Sequence, residues 1–183
     1  MEVDKLEKKQ YLVVDPGLRN TAICLIEVTG ERAEVVLARV GDLSGQTNPF
    51  PDSARLFFKG FELSAKEFLI NDVTVIIEFQ PPLNTLKNPA LVRWNSWIEG
   101  FAIGYFQAVD WPVTGVTFRY AHSNSVKAYF NIRGGSHSRN KRLALDKART
   151  FLADPKSVKT DHEADCVLMA LYVHSHFFTY LTT

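Results

Sequence analysis

The sequence predicts an α/β domain: a five-stranded mixed sheet, three strands antiparallel and two parallel, flanked by helices. Two patterns predict it. Three apolar stretches between residues 11 and 40 are separated by turns too short to hold a helix, which makes an antiparallel meander. Two further apolar stretches, 73–79 and 113–120, are each preceded by a helical pattern and followed by more helix. The length of 183 residues, with 46% hydrophobic, suits one domain with a sizeable core.

In order, Tyr11-Leu-Val-Val-Asp15 is the first strand, and Pro16-Gly17 with Arg19-Asn20 bends the chain. Strands at 21–28 and 33–40 follow, split by Gly30-Glu31. A polar loop runs from Gly41 to Pro51, and Asp52-Ser53 caps a helix that continues to about Ile70. The strand from Val73 to Phe79 is apolar almost throughout, as expected when both faces are buried, and Pro81-Pro82 forbid its extension. A long helix spans about 90–108. Its expected core stripe is Leu91, Trp94, Ile98, Phe101 and Tyr105, with Trp97 and Phe106 off the stripe. Pro112 precedes the fifth strand, and helices near 123–131, 139–153 and 162–180 complete the chain. Residues 1–10 are too charged for a secretory signal and read as a flexible arm before one domain, 11–183. Nothing suggests a membrane span. Cys24 and Cys166 fall in core elements, which fits free thiols in an intracellular, reducing compartment.

Net charge is only +1, but it is unevenly spread. Between Arg119 and Arg149 eight Lys/Arg face one acid, Asp146, leaving 13 basic against 19 acidic residues elsewhere. Local charge sets the field that a polyanion feels. Arg133, Arg139, Lys141 and Arg142 are therefore candidate nucleic-acid contacts, the plain alternative being a solvated helix face.

The chemistry-bearing stretch is Asp161-His162-Glu163-Ala164-Asp165, at the head of an apolar helix. His162 and Asp165, or Asp161 and Asp165, share a helical face. The plain alternative is an acidic N-terminal cap. Two other acids, Asp15 and Glu78, each end an apolar strand, so adjacent strands would bring their carboxylates to one edge of the sheet. A carboxylate at the end of a buried strand is costly unless it is paired, whereas Asp15 before Pro-Gly could also be a turn residue. Four other histidines, His122, His137, His174 and His176, receive no role.

Val13-Val-Asp15-Pro-Gly17, Val75-Ile-Ile-Glu78 and Asp161-His-Glu-Ala-Asp165 resemble, in order, the motifs of RuvC-type Holliday junction resolvases of the ribonuclease H-like superfamily. Glu78-Phe-Gln-Pro-Pro82, with the aromatic helix holding Ile98-Glu-Gly-Phe101, resembles the poxvirus and related large-DNA-virus branch. Ser125-Val-Lys127, the Gly134-Gly135 loop and Lys141 are similar to the family's lysine-bearing segment.

The resemblance implies a ribonuclease H-like fold and an endonuclease that resolves four-way or other branched DNA. It implies Asp15, Glu78, His162 and Asp165 as metal ligands, with Asp161 a possible ligand beside His162, and Lys127 and Lys141 as catalytic lysines. Two Mg²⁺ per site, about 3.5–4 Å apart, would activate water and stabilise the leaving oxygen. The imidazole suits Mn²⁺ as a substitute. Paired cuts on a two-fold-symmetric junction imply a homodimer, with the 90–108 helix as its expected interface. A viral member would act in the host-cell cytoplasm or at a replication site. The alternatives are a nuclease of this fold acting on RNA or other branched substrates, and a module that binds nucleic acid without cutting.

Overall fold

The structure, a computed structural model, describes residues 7–44, 51–70, 72–79, 89–132 and 135–178, and only the backbone of 89–91, 177 and 178. Residues 1–6 of the expected arm, Pro81-Pro82, Arg133 and the side chain of Leu91 therefore lie outside the described residues.

Strands β1 (Lys9–Asp15), β2 (Thr21–Thr29) and β3 (Arg32–Gly41) form the expected antiparallel meander. Strand β4 (Val73–Glu78) runs parallel to β1, and β5 (Val116–Ala121) parallel to β4, in the order β3-β2-β1-β4-β5. Helices α1 (Asp52–Ala65) and α2 (Pro89–Ala108) cover one face. Helices α3 (Ser123–Tyr129), α4 (His137–Phe151) and α5 (Asp161–Phe178) cover the other. A short 3-10 turn at Pro155–Ser157, held by Lys156 N–H donating to Asp154 Oδ1, separates α4 from α5.

Side-chain parity builds the two cores. Tyr11, Val13, Cys24, Ile26 and Ile76 pack against Val167, Leu168 and Met169 of α5. Their neighbours Leu12, Val14, Ile23, Leu25, Val75 and Ile77 pack against Phe58 and Phe61 of α1 and Ile98, Ala102 and Phe106 of α2. A strand alternates sides with each residue, so β1 and β4 are apolar throughout because both their faces are covered. Cys24 and Cys166 are buried free thiols.

Several boundaries differ from expectation. The first strand begins at Lys9, within the expected arm, and Gln10 is only 3% exposed. A buried amide must be satisfied. Gln10 Nε2 donates to Glu27 Oε1 and to the Phe68 carbonyl, both at 2.8 Å, and its Oε1 accepts from Ile70 N–H at 2.8 Å. These bonds take backbone groups that a continuing helix would use, so α1 ends at Ala65 instead of near Ile70. At its start, Pro51 is the cap residue, with no side-chain bond, and Asp52 lies in the first turn. β5 begins at Val116 instead of 113; before it, Thr114 donates its hydroxyl to Asp72, and the Gly115 carbonyl accepts from Val73 N–H.

The buried stripe of α2 also differs. It is Val92, Ile98, Ala102 and Phe106, while Trp94 and Trp97 remain 43% and 40% exposed. Phe101 and Tyr105 sit at the stripe's edge, against Phe58 of α1, with ring centroids 5.8 and 5.7 Å away.

Below these rings Glu62 ties the two helices together. Its carboxylate, 3% exposed, accepts from Tyr105 Oη at 2.5 Å and from Lys59 and Lys66 at 2.9 Å each. Burial pushes this acid up, but the three donors outweigh it and hold its pKa at about 2. The folded chain thus keeps Glu62 ionised where an unfolded chain would protonate it. Its contribution is present above the ordinary value of 4.5 and is lost as pH falls towards 2. Glu62→Gln is therefore expected to destabilise the protein at pH 7 by about 1–3 kcal/mol. Urea unfolding at pH 7 and at pH 3 should show that gap narrowing at the lower pH; a gap independent of pH would remove the charge from the account.

Candidate active site

The register of the central strands sets the site. Val14 pairs with Ile77 across the parallel β1–β4 ladder, so Asp15 and Glu78 follow one residue on, side by side. Val13 and Ile76 point to the α5 face. A two-residue period sends Asp15 and Glu78 to that same face. After Asp15 the chain turns through Pro16-Gly17, closed by Thr21 Oγ1 donating to the Gly17 carbonyl at 2.5 Å. Leu18 N–H then donates to Asn95 Oδ1 of α2 at 3.3 Å, which fixes the loop behind Asp15.

The third acidic segment opens α5, and its first turn divides two tasks between neighbouring side chains. Glu163 Oε2 accepts from Lys159 N–H at 2.7 Å and from Thr160 N–H at 2.8 Å, while Thr160 Oγ1 accepts from Glu163 N–H at 3.2 Å. This is a capping box. Because Glu163 closes the helix start, the capping explanation of the acidic stretch belongs to that residue. Asp161, His162 and Asp165 turn instead toward the strand ends. His162 Nδ1 lies 2.8 Å from Asp15 Oδ2, joining residues 147 apart in sequence.

All these groups line one cleft of about 370 Å³: Asp15, Glu78, Asp161, His162 and Asp165, with Lys127 of α3 and Lys141 of α4. Glu78, Lys127 and Asp165 also border a small adjoining void. Lys141 Nζ lies 2.5 Å from Asp161 Oδ2. Arg139 and Arg142 are exposed on α4 and do not line the cleft.

Three further residues line it that sequence reasoning missed: Asn95, His137 and Asn140. His137, Lys141 and Ala144 recur at helical spacing on one face of α4, which could have marked His137 once Lys141 was placed. Asn140 donates to the Gly135 carbonyl at 3.4 Å, and its buried Oδ1 has no partner among the described residues. Asn95 breaks an aromatic run, Trp94-Asn95-Ser96-Trp97, and that is its only signal.

The electrostatics are those of crowded acids. Glu78 is pushed up to about 9, first by burial and then by the Asp15 carboxylate, against an opposing hydrogen bond with Ser123. Asp165 is raised to about 6 by burial and by Asp15, with Lys127 and His162 pulling the other way. His162 is raised because Asp15 bonds its ring, which outweighs its partial burial. Asp161 is raised by partial burial but lowered overall by the Lys141 hydrogen bond and by the charges of His162 and Lys141.

The five-stranded order, with three antiparallel strands leading into two parallel ones and helices on both faces, is a ribonuclease H-like fold. Among solved structures the chain is similar to RuvC of Thermus thermophilus in complex with a Holliday junction substrate. That match has a TM-score of 0.64 and 18% identity, over 95% of this chain and 97% of that one. A second structure of RuvC from the same organism matches with a TM-score of 0.61 and 18% identity, covering 94% and 97%. The yeast mitochondrial Holliday junction resolvase Ydc2 matches with a TM-score of 0.53 and 14% identity, covering 94% and 82%. No protein-family model matches the sequence, and no curated protein matches it.

Among the described residues no three His, Cys, Asp or Glu side chains stand in the arrangement of a formed metal site. The donor chemistry nevertheless fits a hard divalent cation. Carboxylate oxygens dominate the cleft, and a cation there would relieve the Asp15 repulsion that, after burial, raises Glu78 and Asp165.

That repulsion has a thermodynamic consequence. Folded protein holds the Glu78 proton to about pH 9, whereas an unfolded chain releases it near 4.5. Between those values the folded state binds more protons, so this acid's contribution falls as pH rises. In EDTA, Glu78→Gln should melt at least about 2 °C above wild type at pH 8 and close to it at pH 4. Millimolar Mg²⁺ or Mn²⁺ should raise the wild-type midpoint and leave a Glu78→Gln/Asp165→Asn variant unmoved. Scanning calorimetry measures both; equal responses to the cations would remove the metal from this cleft.

Proposed function

We propose that the protein is a metal-dependent, structure-selective endonuclease that resolves four-way DNA junctions by paired phosphodiester hydrolysis. One observation carries this reading. Asp15 and Glu78 from adjacent strands, His162 and Asp165 from α5, and Lys127 and Lys141 from α3 and α4 all line a single cleft. The likeness in fold to RuvC and Ydc2 supports it. The run Glu78-Phe79-Gln80-Pro81-Pro82 and the aromatic α2 favour the large-DNA-virus branch among such enzymes.

Asp15, Glu78, His162 and Asp165 are the residues that would hold divalent ions, Mg²⁺ in the first place and Mn²⁺ as a substitute. Bound there, such ions would supply Lewis acidity to activate a water and to offset charge on the leaving 3′ oxygen. The protein's own groups do the rest. The His162–Asp15 hydrogen bond fixes both side chains against the end of β1. Lys127 and Lys141 supply positive charge to draw the phosphodiester toward a cleft whose acids alone would repel it. Arg139 and Arg142, exposed on α4, extend that field along the backbone of the nucleic acid.

If the four acidic and imidazole groups act as ligands, Asp15→Asn, Glu78→Gln and Asp165→Asn should each lower junction cleavage by at least about 100-fold. Junction affinity should change little, because it comes from the basic residues. His162→Asp should retain substantial Mg²⁺-dependent activity. Gel assays with a labelled synthetic junction in Mg²⁺, Mn²⁺ or EDTA test this, and wild-type cleavage by Asp165→Asn would refute the ligand assignment.

Two matched cuts call for two sites, most simply on a C2 dimer. The exposed Trp94 and Trp97 of α2, with Trp97 stacked on Phe101 at 5.3 Å, give that helix the aromatic surface typical of interface cores. The wild type should sediment as a dimer at micromolar concentration and Trp97→Glu/Phe101→Glu as a folded monomer. A monomeric wild type would end the dimer proposal, and a dimeric double variant would move the interface off α2.

A further inference from the structure

Asp161 opens α5 at the mouth of the cleft, and Lys141 reaches the same point from α4. The carboxylate Oδ2 lies 2.5 Å from Lys141 Nζ but 3.9 Å from His162 Nε2, so the ammonium is its close partner. The two side chains are 42% and 27% exposed, Lys141 first. Water reaches both, so the pair can open without stranding a buried charge. Exposed pairs of this kind also contribute little to stability. A phosphodiester carries the same single negative charge as Asp161 and can take the same three N–H donors. The flexible four-carbon stem of Lys141 lets its ammonium move between the two anions.

We propose that Asp161 is the resident counter-ion of Lys141 and not a metal ligand: it holds the ammonium at the cleft mouth and yields it to a phosphodiester of the bound nucleic acid. This role rests on the nuclease reading above. A backbone phosphate gains Lys141 only by displacing Asp161, so a phosphate seated in the cleft is favoured over one that merely approaches the basic face of α4. Asp161 is thus a positioning residue, acting through Lys141.

The test is a double-mutant cycle read as DNA binding in EDTA, where no cleavage occurs. By fluorescence anisotropy, Asp161→Asn should bind linear duplex about two- to fivefold more tightly than wild type, the range an exposed ion pair allows. Asp161→Glu should restore wild-type affinity. In a Lys141→Ala background, Asp161→Asn should add nothing. An equal gain there would mean general repulsion between Asp161 and DNA, and would overturn the proposal. Asp161→Ser, which keeps a residue suited to a helix start, provides the same comparison if the amide variant is poorly folded.

A second readout needs no DNA. Calorimetric titration with Mn²⁺ should give Asp161→Asn the affinity of wild type while Asp165→Asn loses it. Loss in both would make Asp161 a ligand and overturn the proposal. Should the cycle and the titration behave as expected in a protein that cuts no branched DNA, the junction-resolving reading falls and the counter-ion role stands. A wild type without measurable affinity for any DNA would overturn both.

Discussion

The parallel pairing of β1 with β4 puts two carboxylates, Asp15 and Glu78, next to each other on one face of the sheet, and much of the molecule answers that placement. Like charges at the ends of neighbouring strands repel, and burial compounds the penalty. The protein surrounds them with His162, Lys127 and Lys141, drawn from three helices on the same side. None of those groups lies near Asp15 in sequence. The sheet's register creates the problem, and the packing of α3, α4 and α5 supplies the response.

The two faces of the sheet do different work. On the α5 side the core beneath the cleft mixes aliphatic groups with the rings of Tyr11 and Phe130, and the ionisable residues crowd its upper rim. On the α1/α2 side aromatic rings join the two helices, and the buried acid Glu62 is compensated by Tyr105 and two lysines. The contrast between Glu62 and Glu78 is informative. Both are partly or wholly withdrawn from water, yet three donors hold one far below the ordinary carboxylate range while an acidic neighbour drives the other far above it. Glu62 is met by donors, whereas Glu78 also faces the carboxylates of Asp15 and Asp165. Asn95 links the halves, since it sits on α2 and holds the loop that follows Asp15.

What the sequence made legible was local and periodic. The strands could be read because alternation and turn chemistry announce them. Asp15 and Glu78 stood out because an acid at the end of an apolar strand needs a reason. The order of the acidic motifs supplied the family resemblance, and the fold it implied is the one observed. What could not be read depends on contacts made at a distance. α1 stops at Ala65 because Gln10, sixty residues before Ile70, binds the backbone beyond it. The buried stripe of α2 was misplaced because its aromatics occupy more than one face, so periodicity alone does not choose among them. The capping box at Thr160 and Glu163 was visible as a pattern, but the richer acidic cluster around it obscured which residue did the capping. Asn95, His137 and Asn140 are ordinary polar residues, and only the folded cleft distinguishes them.

The hydrogen bond between His162 and Asp15 also has a meaning for biosynthesis. Asp15 leaves the ribosome early, with β1, while His162 and Asp165 follow all five strands and four helices. A nascent chain can therefore pair its strands and still lack Asp161, His162 and Asp165 of the cleft. The cleft is completed late, when α5 docks, and a chain interrupted before that point holds all five strands but an unfinished cleft. That order of assembly keeps the cleft incomplete until α5 is in place.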